Sequence, residues 1–210
     1  MKNRPGTGIY AKGSERVHEI LYAAHNVLMR DGYERLTMRA VAHETGMTVG
    51  NLNYYYSNKS DLLRDLIEHI ISQYLADFQS IQEESDRSPE AQLEALLRFI
   101  VDDLGTKETT FFFPELWALS NHDEYASESM HSLYRQARDV FEALIEQINP
   151  RLTKGQVKKL ALIVSASLEG LTVFVGHEKP FARQRRSVGK VTIKGLLDLI
   201  RNVNGADFKL

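Results

Sequence analysis

The chain has 210 residues, of which 43% are hydrophobic and 26% charged, the balance of a folded globular protein rather than a disordered one. It contains no cysteine, which excludes disulfides, thiolate metal sites and a cysteine nucleophile. No apolar run reaches the roughly 18 residues that a membrane span needs, and the first residues do not read as a signal peptide. We therefore expect a cytoplasmic protein that is neither exported nor membrane-spanning.

The charge is distributed unevenly along the chain. The net charge is −2, but residues 1–60 carry 8 Lys and Arg against 5 Asp and Glu, so the excess of acid lies in the remainder. Such a split suits a protein that brings only its first segment to a polyanion, although many inert domains show a similar excess. Charge alone therefore gives only weak support for nucleic-acid binding.

Apolar residues recur at helical spacing along almost the whole chain, and no alternating β-branched run predicts a strand. The predicted fold class is therefore all-α. After a basic arm of about eleven residues, expected to be mobile, a first helix starts near Ser14 and stops at Gly32. Thr37 caps a short second helix that ends at Gly46, and a third covers residues 49–56.

The rest of the chain is also predicted to be helical. Asn58 and Asp61 cap a long fourth helix, and Ser88 with Pro89 begins a fifth that Gly105 stops. Later helices are predicted through residues 111–117, where Pro114 should kink the helix or mark a new start, from 121–122 to 149–150, over 154–175 and over 191–203. Residues 176–186, with the basic run 183–186, are expected to form a flexible loop.

The second and third helices have the pattern of a helix-turn-helix. Val41 and Ala42 lie where the two helices cross, Gly46 lies in the turn, and Leu52 faces inward. Tyr56 is expected to pack the third helix against its neighbours.

The opposite side of the third helix is suited to a DNA groove, because Val49 with Asn53 and Gly50 with Tyr54 are i,i+4 neighbours. Asn53 is the best candidate for a bidentate contact with an adenine edge. Thr48 can cap the helix and also bond a phosphate.

The sequence at this point resembles the tetracycline-repressor (TetR) family of bacterial regulators. The resemblance rests on Gly32-Tyr33 and on residues 37–42, 46–56 and 58–63. It implies about nine helices, divided between an N-terminal DNA-binding domain of residues 1–60 and a C-terminal effector-binding and dimerisation domain of residues 61–210. It also implies a homodimer through the last two helices, and DNA contacts by Thr37, Thr48, Val49, Gly50, Asn53, Tyr54, Tyr55 and Lys59. The family usually has tyrosine at the position of Asn53, so we expect a different operator preference.

Several of these residues have a second interpretation. Tyr54 and Tyr55 could pack against neighbouring helices, and Arg39, a further candidate for DNA contact, could be an ordinary surface residue. Lys59 could be a solvated charge, but a lysine at a helix start opposes the helix dipole, which favours a phosphate contact.

An apolar effector pocket is predicted in the C-terminal domain, where aromatic residues cluster on neighbouring helices. The same cluster would also suit an ordinary core. The candidate ligand-binding residues are Phe78, Phe112, Phe113, Trp117, Tyr134, Phe141, Glu169 and Phe174, with His122 and Arg138 as further polar candidates.

Helix eight has small residues that would allow close packing across a two-fold axis, namely Ala161, Ser165, Ala166 and Gly170 beside Leu162, Leu168 and Leu171. A dimer would place two reading helices about one DNA turn, ~34 Å, apart on a palindromic operator. The predicted function is a transcriptional repressor that a small-molecule effector releases from DNA through a shift of helix four.

Two other classes of function compete with a ligand-gated repressor. An enzyme is not expected, because the seven histidines show no metal-ligand spacing and no serine lies in a Gly-x-Ser-x-Gly elbow. No metal and no cofactor are expected for the same reason. A DNA-binding scaffold of the same fold without an effector, for chromosome organisation or division control, is the alternative that the sequence cannot separate from a ligand-gated repressor.

Overall fold

The computed structural model of the protein describes residues 11–82 and 87–208, with side chains from residue 14 onward. This part is all-α, as predicted, and contains no strand. Its helices are α1 Ala11–Asp31, α2 Met38–Glu44, α3 Val49–Tyr55, α4 Lys59–Gln82, α5 Pro89–Asp103, α6 Lys107–Ser120, α7 Glu124–Ile148, α8 Lys154–Val175 and α9 Arg185–Asn202. Short 3-10 turns occupy Tyr33–Arg35, Ala182–Gln184 and Gly205–Phe208.

Most predicted helix boundaries are confirmed by the capping groups at the helix ends. The Thr37 hydroxyl accepts the Ala40 amide at the start of α2, and the Asn58 side chain accepts the Asp61 amide at the start of α4. Gly32 after α1 has a left-handed backbone with φ 80°, which suits glycine. The basic arm lies outside the described residues.

Two expectations about the connections need correction. Residues 183–186 are not a flexible loop, because they form a 3-10 turn that leads directly into α9 at Arg185. Helix α9 therefore begins about two turns earlier than its apolar stripe indicates, since its first three residues, Arg185, Arg186 and Ser187, are polar. Pro114 lies inside α6 and marks no new helix.

The packing divides the chain into two compact units, which are described separately. The first unit comprises residues 1–73 and 111–129, and the second comprises residues 74–110 and 130–210. Helix α4 contributes residues to both. The first unit packs α1 on α2 and α2 on α3, around the buried side chains of Leu21, Val27, Leu36, Val41, Leu52, Tyr56, Leu62 and Leu66.

The second unit has its own apolar core, in which α5 packs on both α8 and α9. Its buried residues include Phe78, Leu93, Leu96, Leu97, Phe141, Ile145, Leu160, Val164, Ile193, Leu197 and Ile200. Each fully buried side chain of this size contributes roughly 1.5–3 kcal/mol through removal of apolar surface from water. The second unit thus has a substantial core of its own.

Candidate functional site

A tight turn joins α2 to α3 and fixes their relative direction. Gly46 has a left-handed backbone with φ 67°, which glycine adopts without strain. The Met47 amide donates to the Ala42 carbonyl over 2.8 Å, and the Thr45 hydroxyl donates to the Val41 carbonyl over 3.0 Å. These bonds close the end of α2, so α3 leaves the turn in a defined direction.

The inner side of α3 anchors this helix in the first unit. Leu52 is fully buried, and so is the ring of Tyr56. The Tyr56 hydroxyl donates to a carboxylate oxygen of Asp65 over 3.2 Å. Tyr56 therefore packs α3 against α4, as the sequence predicts.

The outer side of α3 is open and carries the predicted groove residues together. Val49, Gly50, Asn53 and Tyr54 are all exposed, and Tyr54 has 66% of its surface accessible. Tyr55 is half-buried, and its ring meets that of Tyr54 edge to face with centroids 5.2 Å apart. A short helix with one anchored side and one open polar side has the form of a DNA recognition helix.

Thr37 and Thr48 each cap the start of a helix and still have a hydroxyl hydrogen to donate. The Thr48 hydroxyl oxygen accepts the Asn51 amide over 3.2 Å, and the Thr37 hydroxyl accepts the Ala40 amide over 3.1 Å. Each hydroxyl still has its own hydrogen to donate, and the contact of that hydrogen with a phosphate oxygen stays a prediction. Arg39 is exposed on α2, and its contact with DNA stays a prediction.

Lys59 has a partner inside the protein that the sequence did not indicate. Its Nζ donates to the Tyr33 carbonyl oxygen over 3.0 Å and lies 3.8 Å from the centroid of the Tyr33 ring. Burial lowers the pKa of Lys59, against an opposing effect of Glu34. The lysine is thus not a fully solvated charge, and its contact with phosphate remains a prediction.

The second unit contains a cluster of partly or fully buried acidic and phenolic groups. Burial raises the pKa of Glu169 to about 7, and its carboxyl group is hydrogen-bonded by Tyr134. Burial also raises the pKa of Asp103 and of Tyr74, and the latter is raised further by Asp103 and Glu169.

The buried hydroxyl of Thr172 lies one turn beyond Glu169 on the same side of α8. Thr172 is only 2% exposed, and its Oγ1 has no hydrogen-bond partner among the described residues. Sequence reasoning named Glu169 and Tyr134 but missed Tyr74, Asp103 and Thr172. The i,i+3 spacing of Glu169 and Thr172 was the one available signal for this pair.

The other predicted ligand-binding residues are distributed over both units. Phe112, Phe113 and Trp117 lie in the first unit, where the first two are buried with ring centroids 5.5 Å apart. Phe78 and Phe141 lie in the core of the second unit, with centroids 6.0 Å apart. These two therefore have the ordinary core placement that the sequence left open.

Phe174 lies on an exposed apolar face of α8 rather than in the core, with 57% of its surface accessible. Leu162, Ala166 and Gly170 precede it at i,i+4 steps and are also exposed. The small-residue face predicted for helix eight is therefore corrected, because Ala161 and Leu168 are buried.

Helix α9 carries a matching exposed line, formed by Val191, Gly195 and Leu199. A side-chain carbon added at Gly170 or at Gly195 would meet no atom within 4 Å. Both glycines thus leave open surface between exposed apolar side chains on the last two long helices.

The first unit also has a cleft of about 610 Å³ beside the turn that follows α1. Its lining includes four acidic residues, Asp31, Glu34, Glu115 and Asp123, together with His122. Across the described residues, no three His, Asp or Glu side chains are placed to hold a metal ion together. None of the helices in the described ranges has both the length and the apolar character that crossing a bilayer requires.

Comparison with known proteins agrees with this architecture. A family model described as bacterial regulatory proteins of the tetR family matches residues 20–66, and one described as the C-terminal part of BetI-type transcriptional repressors matches residues 89–197. An uncharacterised HTH-type transcriptional regulator from the dhlA 5′ region of Xanthobacter autotrophicus is 28% identical over 165 residues, which cover 77% of this chain and 80% of that protein. The regulator BetI of Proteus mirabilis is 25% identical over 175 residues, with coverage of 80% and 84%.

A solved structure of similar fold is a transcriptional regulator of Saccharomonospora viridis in complex with choline. It is 18% identical, has a TM-score of 0.69, and the match covers 90% of this chain and 97% of that one. The fold and the open recognition helix define a helix-turn-helix transcriptional regulator that binds DNA. The chain belongs to the TetR family, with a C-terminal domain of the BetI type.

Proposed function

We propose that the protein represses transcription as a homodimer on a palindromic operator, and that a small organic cation releases it. The observation that carries the DNA-binding part is the exposed face of α3, where Thr48, Gly50, Asn53 and Tyr54 lie together while Leu52 anchors the helix from behind. Asn53 would contact a base edge, and the hydroxyls of Thr48 and Tyr54 would contact phosphates.

The exposed apolar lines of α8 and α9 support a dimer with a second copy of the chain. Leu162 and Phe174 on α8, and Val191 on α9, each have more than half of their surface accessible. The open glycines at 170 and 195 would let two helices approach closely. A two-fold axis through this face gives an isologous interface, which is the commonest form of oligomer and matches the symmetry of a palindromic site.

The cluster around Glu169 supports a cationic effector. Carboxyl groups withdrawn from water are costly unless they are paired or protonated, and burial raises the pKa of both Glu169 and Asp103. A positively charged ligand would supply that partner, and the rings of Tyr74 and Tyr134 could stack on it. The choline bound to the structural relative from Saccharomonospora viridis belongs to this chemical class.

Footprinting of the full-length protein on the region upstream of its own gene tests the operator part. We expect protection of one palindromic site whose half-sites are about one helical turn, ~34 Å, apart on the same face of the duplex. A purified dimer that protects no sequence at low ionic strength would contradict the proposal.

The effector part is tested by measuring operator binding with choline and with 3,3-dimethylbutan-1-ol, its uncharged analogue of similar shape. We expect choline to weaken binding roughly 5–150-fold, the usual range of allosteric coupling, and the alcohol to have little effect. Because a carboxylate is needed, the effect of choline should grow as the pH rises through the pKa of Glu169, about 7.

Glu169→Gln should abolish the choline response, whereas Glu178→Gln, at an exposed carboxylate just beyond α8, should keep it. Equal effects of the cation and the alcohol would contradict a cation site while leaving operator binding intact. Operator binding that no cation or neutral analogue alters would instead favour a DNA-binding scaffold without an effector.

A further inference from the structure

The second unit has three buried threonines among its described residues, and they differ in their hydrogen bonds. Thr109 donates to the carboxylate of Asp103, and Thr110 donates to the Leu104 carbonyl over 2.9 Å. Thr172 is as deeply buried as these two, but its hydroxyl oxygen has no partner in the described part of the chain. The buried hydroxyl of Thr172 therefore needs a separate explanation.

The other hydroxyl groups of α8 have the partner that a helix normally offers. Ser165 and Ser167 each donate to the carbonyl four residues earlier, over 3.1 and 2.8 Å respectively. The carbonyl at the same spacing from Thr172 is that of Leu168, and the Thr172 hydroxyl makes no hydrogen bond to it. The hydroxyl of Thr172 is therefore available to a partner outside its own helix.

A buried hydroxyl without a partner is unfavourable, because its hydrogen bonds to water are lost and not replaced. Thr172 follows Glu169 by three residues on α8, which is about 4.5 Å along the helix axis. The buried carboxyl group of Glu169 belongs to the cluster that supports a cationic effector. In choline, two carbons separate the ammonium nitrogen from the hydroxyl oxygen, so one molecule of this size could contact both residues.

We propose that Thr172 is a specificity residue of the cation site, and that the effector is a quaternary ammonium compound with a hydroxyl group. The ammonium group would lie against Glu169, and the hydroxyl group would exchange a hydrogen bond with Thr172. This inference rests on the proposed cation site and adds a second recognition group to it.

Isothermal titration calorimetry of the full-length protein tests the inference with choline and propyltrimethylammonium, in which a methyl group replaces the hydroxyl. The titrations are made at a pH above about 7, where Glu169 is ionised. We expect the wild type to bind choline roughly 3–10-fold more tightly, the effect of one hydrogen bond to a group that is otherwise unpartnered. Both ligands carry the same charge, so the ratio of their affinities reports on the hydroxyl alone.

Variants of Thr172 should change this ratio in a defined way. Thr172→Val keeps the shape of the side chain, and it should bind both ligands with about equal affinity. Thr172→Ser keeps the hydroxyl and should keep the preference for choline. Thr172→Ala removes the hydroxyl without adding a methyl group, and it repeats the comparison if the valine variant does not fold.

Thr110→Val is the matched control, because Thr110 is also buried but has its partners within the protein. Its hydroxyl also accepts the His177 amide over 2.9 Å, so this variant should melt roughly 2–4 °C lower than the wild type and keep the preference for choline. Thr172→Val should melt no lower than the wild type, because it loses no hydrogen bond of the unliganded protein.

Four results would overturn the inference. Equal affinity of the wild type for the two ligands would do so while leaving the proposed cation site intact, whereas binding of neither ligand would contradict the cation site as well. A preference for choline that survives in Thr172→Val and Thr172→Ala would show that another group contacts the ligand hydroxyl. A loss of stability in Thr172→Val equal to that in Thr110→Val would show that the hydroxyl has a structural partner.

Discussion

Asn53 is exposed at the middle of α3, one turn after Val49 and next to Tyr54. Its amide offers both a donor and an acceptor, the pair that an adenine presents in reverse in the major groove. A tyrosine at this position, as is usual in the family, offers only a hydroxyl. We therefore expect the amide of Asn53 to contact a base edge.

Asn53→Ala should relax the preference for one base pair in each half-site by about 1–3 kcal/mol, because a bidentate contact is lost. Binding to an operator already altered at that base pair should change little. Competition binding against a set of single-base operator variants measures this. Asn51→Ala on the flank of the same helix is the control, and an equal loss in both variants would contradict the assigned role.

The raised pKa of Glu169 also makes the stability of the protein depend on pH. Its pKa rises from the ordinary value of 4.5 to about 7 in the folded protein, which therefore holds a proton that the unfolded chain releases. Such a group adds stability below pH 4.5, and this stability is lost as the pH rises towards 7.

The free energy of unfolding should accordingly fall by up to about 3 kcal/mol between these two pH values through Glu169 alone. Glu169→Gln should flatten this part of the pH profile, whereas Glu178→Gln should leave it unchanged. Urea unfolding at a series of pH values gives the comparison. A profile of Glu169→Gln parallel to that of the wild type would show that folding does not raise the pKa of this carboxyl group.

At the scale of elements, the turn at Gly46 decides how α2 and α3 meet. A side-chain carbon at Gly46 would meet no atom within 4 Å, so any cost of substitution comes from the backbone angle alone. The hydrogen bonds of Thr45 and Met47 to the end of α2 leave this angle no freedom to change.

Gly46→Ala should therefore destabilise the protein by about 1–2 kcal/mol, the usual cost of a left-handed alanine. Gly155→Ala in the first turn of α8 also meets empty space, but its backbone is helical. It should be neutral or stabilising by up to about 1 kcal/mol. Thermal unfolding distinguishes the two, and equal effects would show that the turn adapts.

The elements that the sequence predicted well are those fixed by local chemistry. The caps at Thr37, Thr48, Asn58 and Ser88 and the glycine turns are properties of a few adjacent residues, so they could be read directly. The partner of Lys59 could not, because it lies 26 residues away and depends on how α1 and α4 pack. The early start of α9 was missed for a different reason, since its first turns have no apolar stripe.

At the scale of the whole molecule, the exposed apolar faces of α8 and α9 support the dimer proposed above. A monomeric protein rarely exposes several large apolar side chains along two adjacent helices. Which side of α8 stays exposed could not be read from composition, because Ala161 and Leu168 are as apolar as Ala166 and Leu162. Packing on α9 and α5 makes that choice.

Leu162→Glu should convert the proposed dimer to a folded monomer, because it places a charge of the same sign on both sides of the two-fold axis. Light scattering after size-exclusion chromatography measures the mass, and operator binding should fall with it. Ala143→Glu, on the exposed side of α7, should remain dimeric. A Leu162→Glu variant that keeps the wild-type mass would place the interface elsewhere.

The oxygen and the hydrogen of the Thr48 hydroxyl group can take part in two different hydrogen bonds. The oxygen receives the Asn51 amide and so secures the first turn of α3; the hydrogen remains for an acceptor outside the protein. Aspartate caps helices as well as threonine does but has no hydrogen to give and repels a polyanion. Thr48→Asp should therefore have the melting temperature of the wild type but should not bind DNA, whereas Thr48→Ser should keep both properties. Melting curves and binding titrations measure the two effects. They would show that the stability of α3 and its affinity for DNA depend on different atoms of one hydroxyl group.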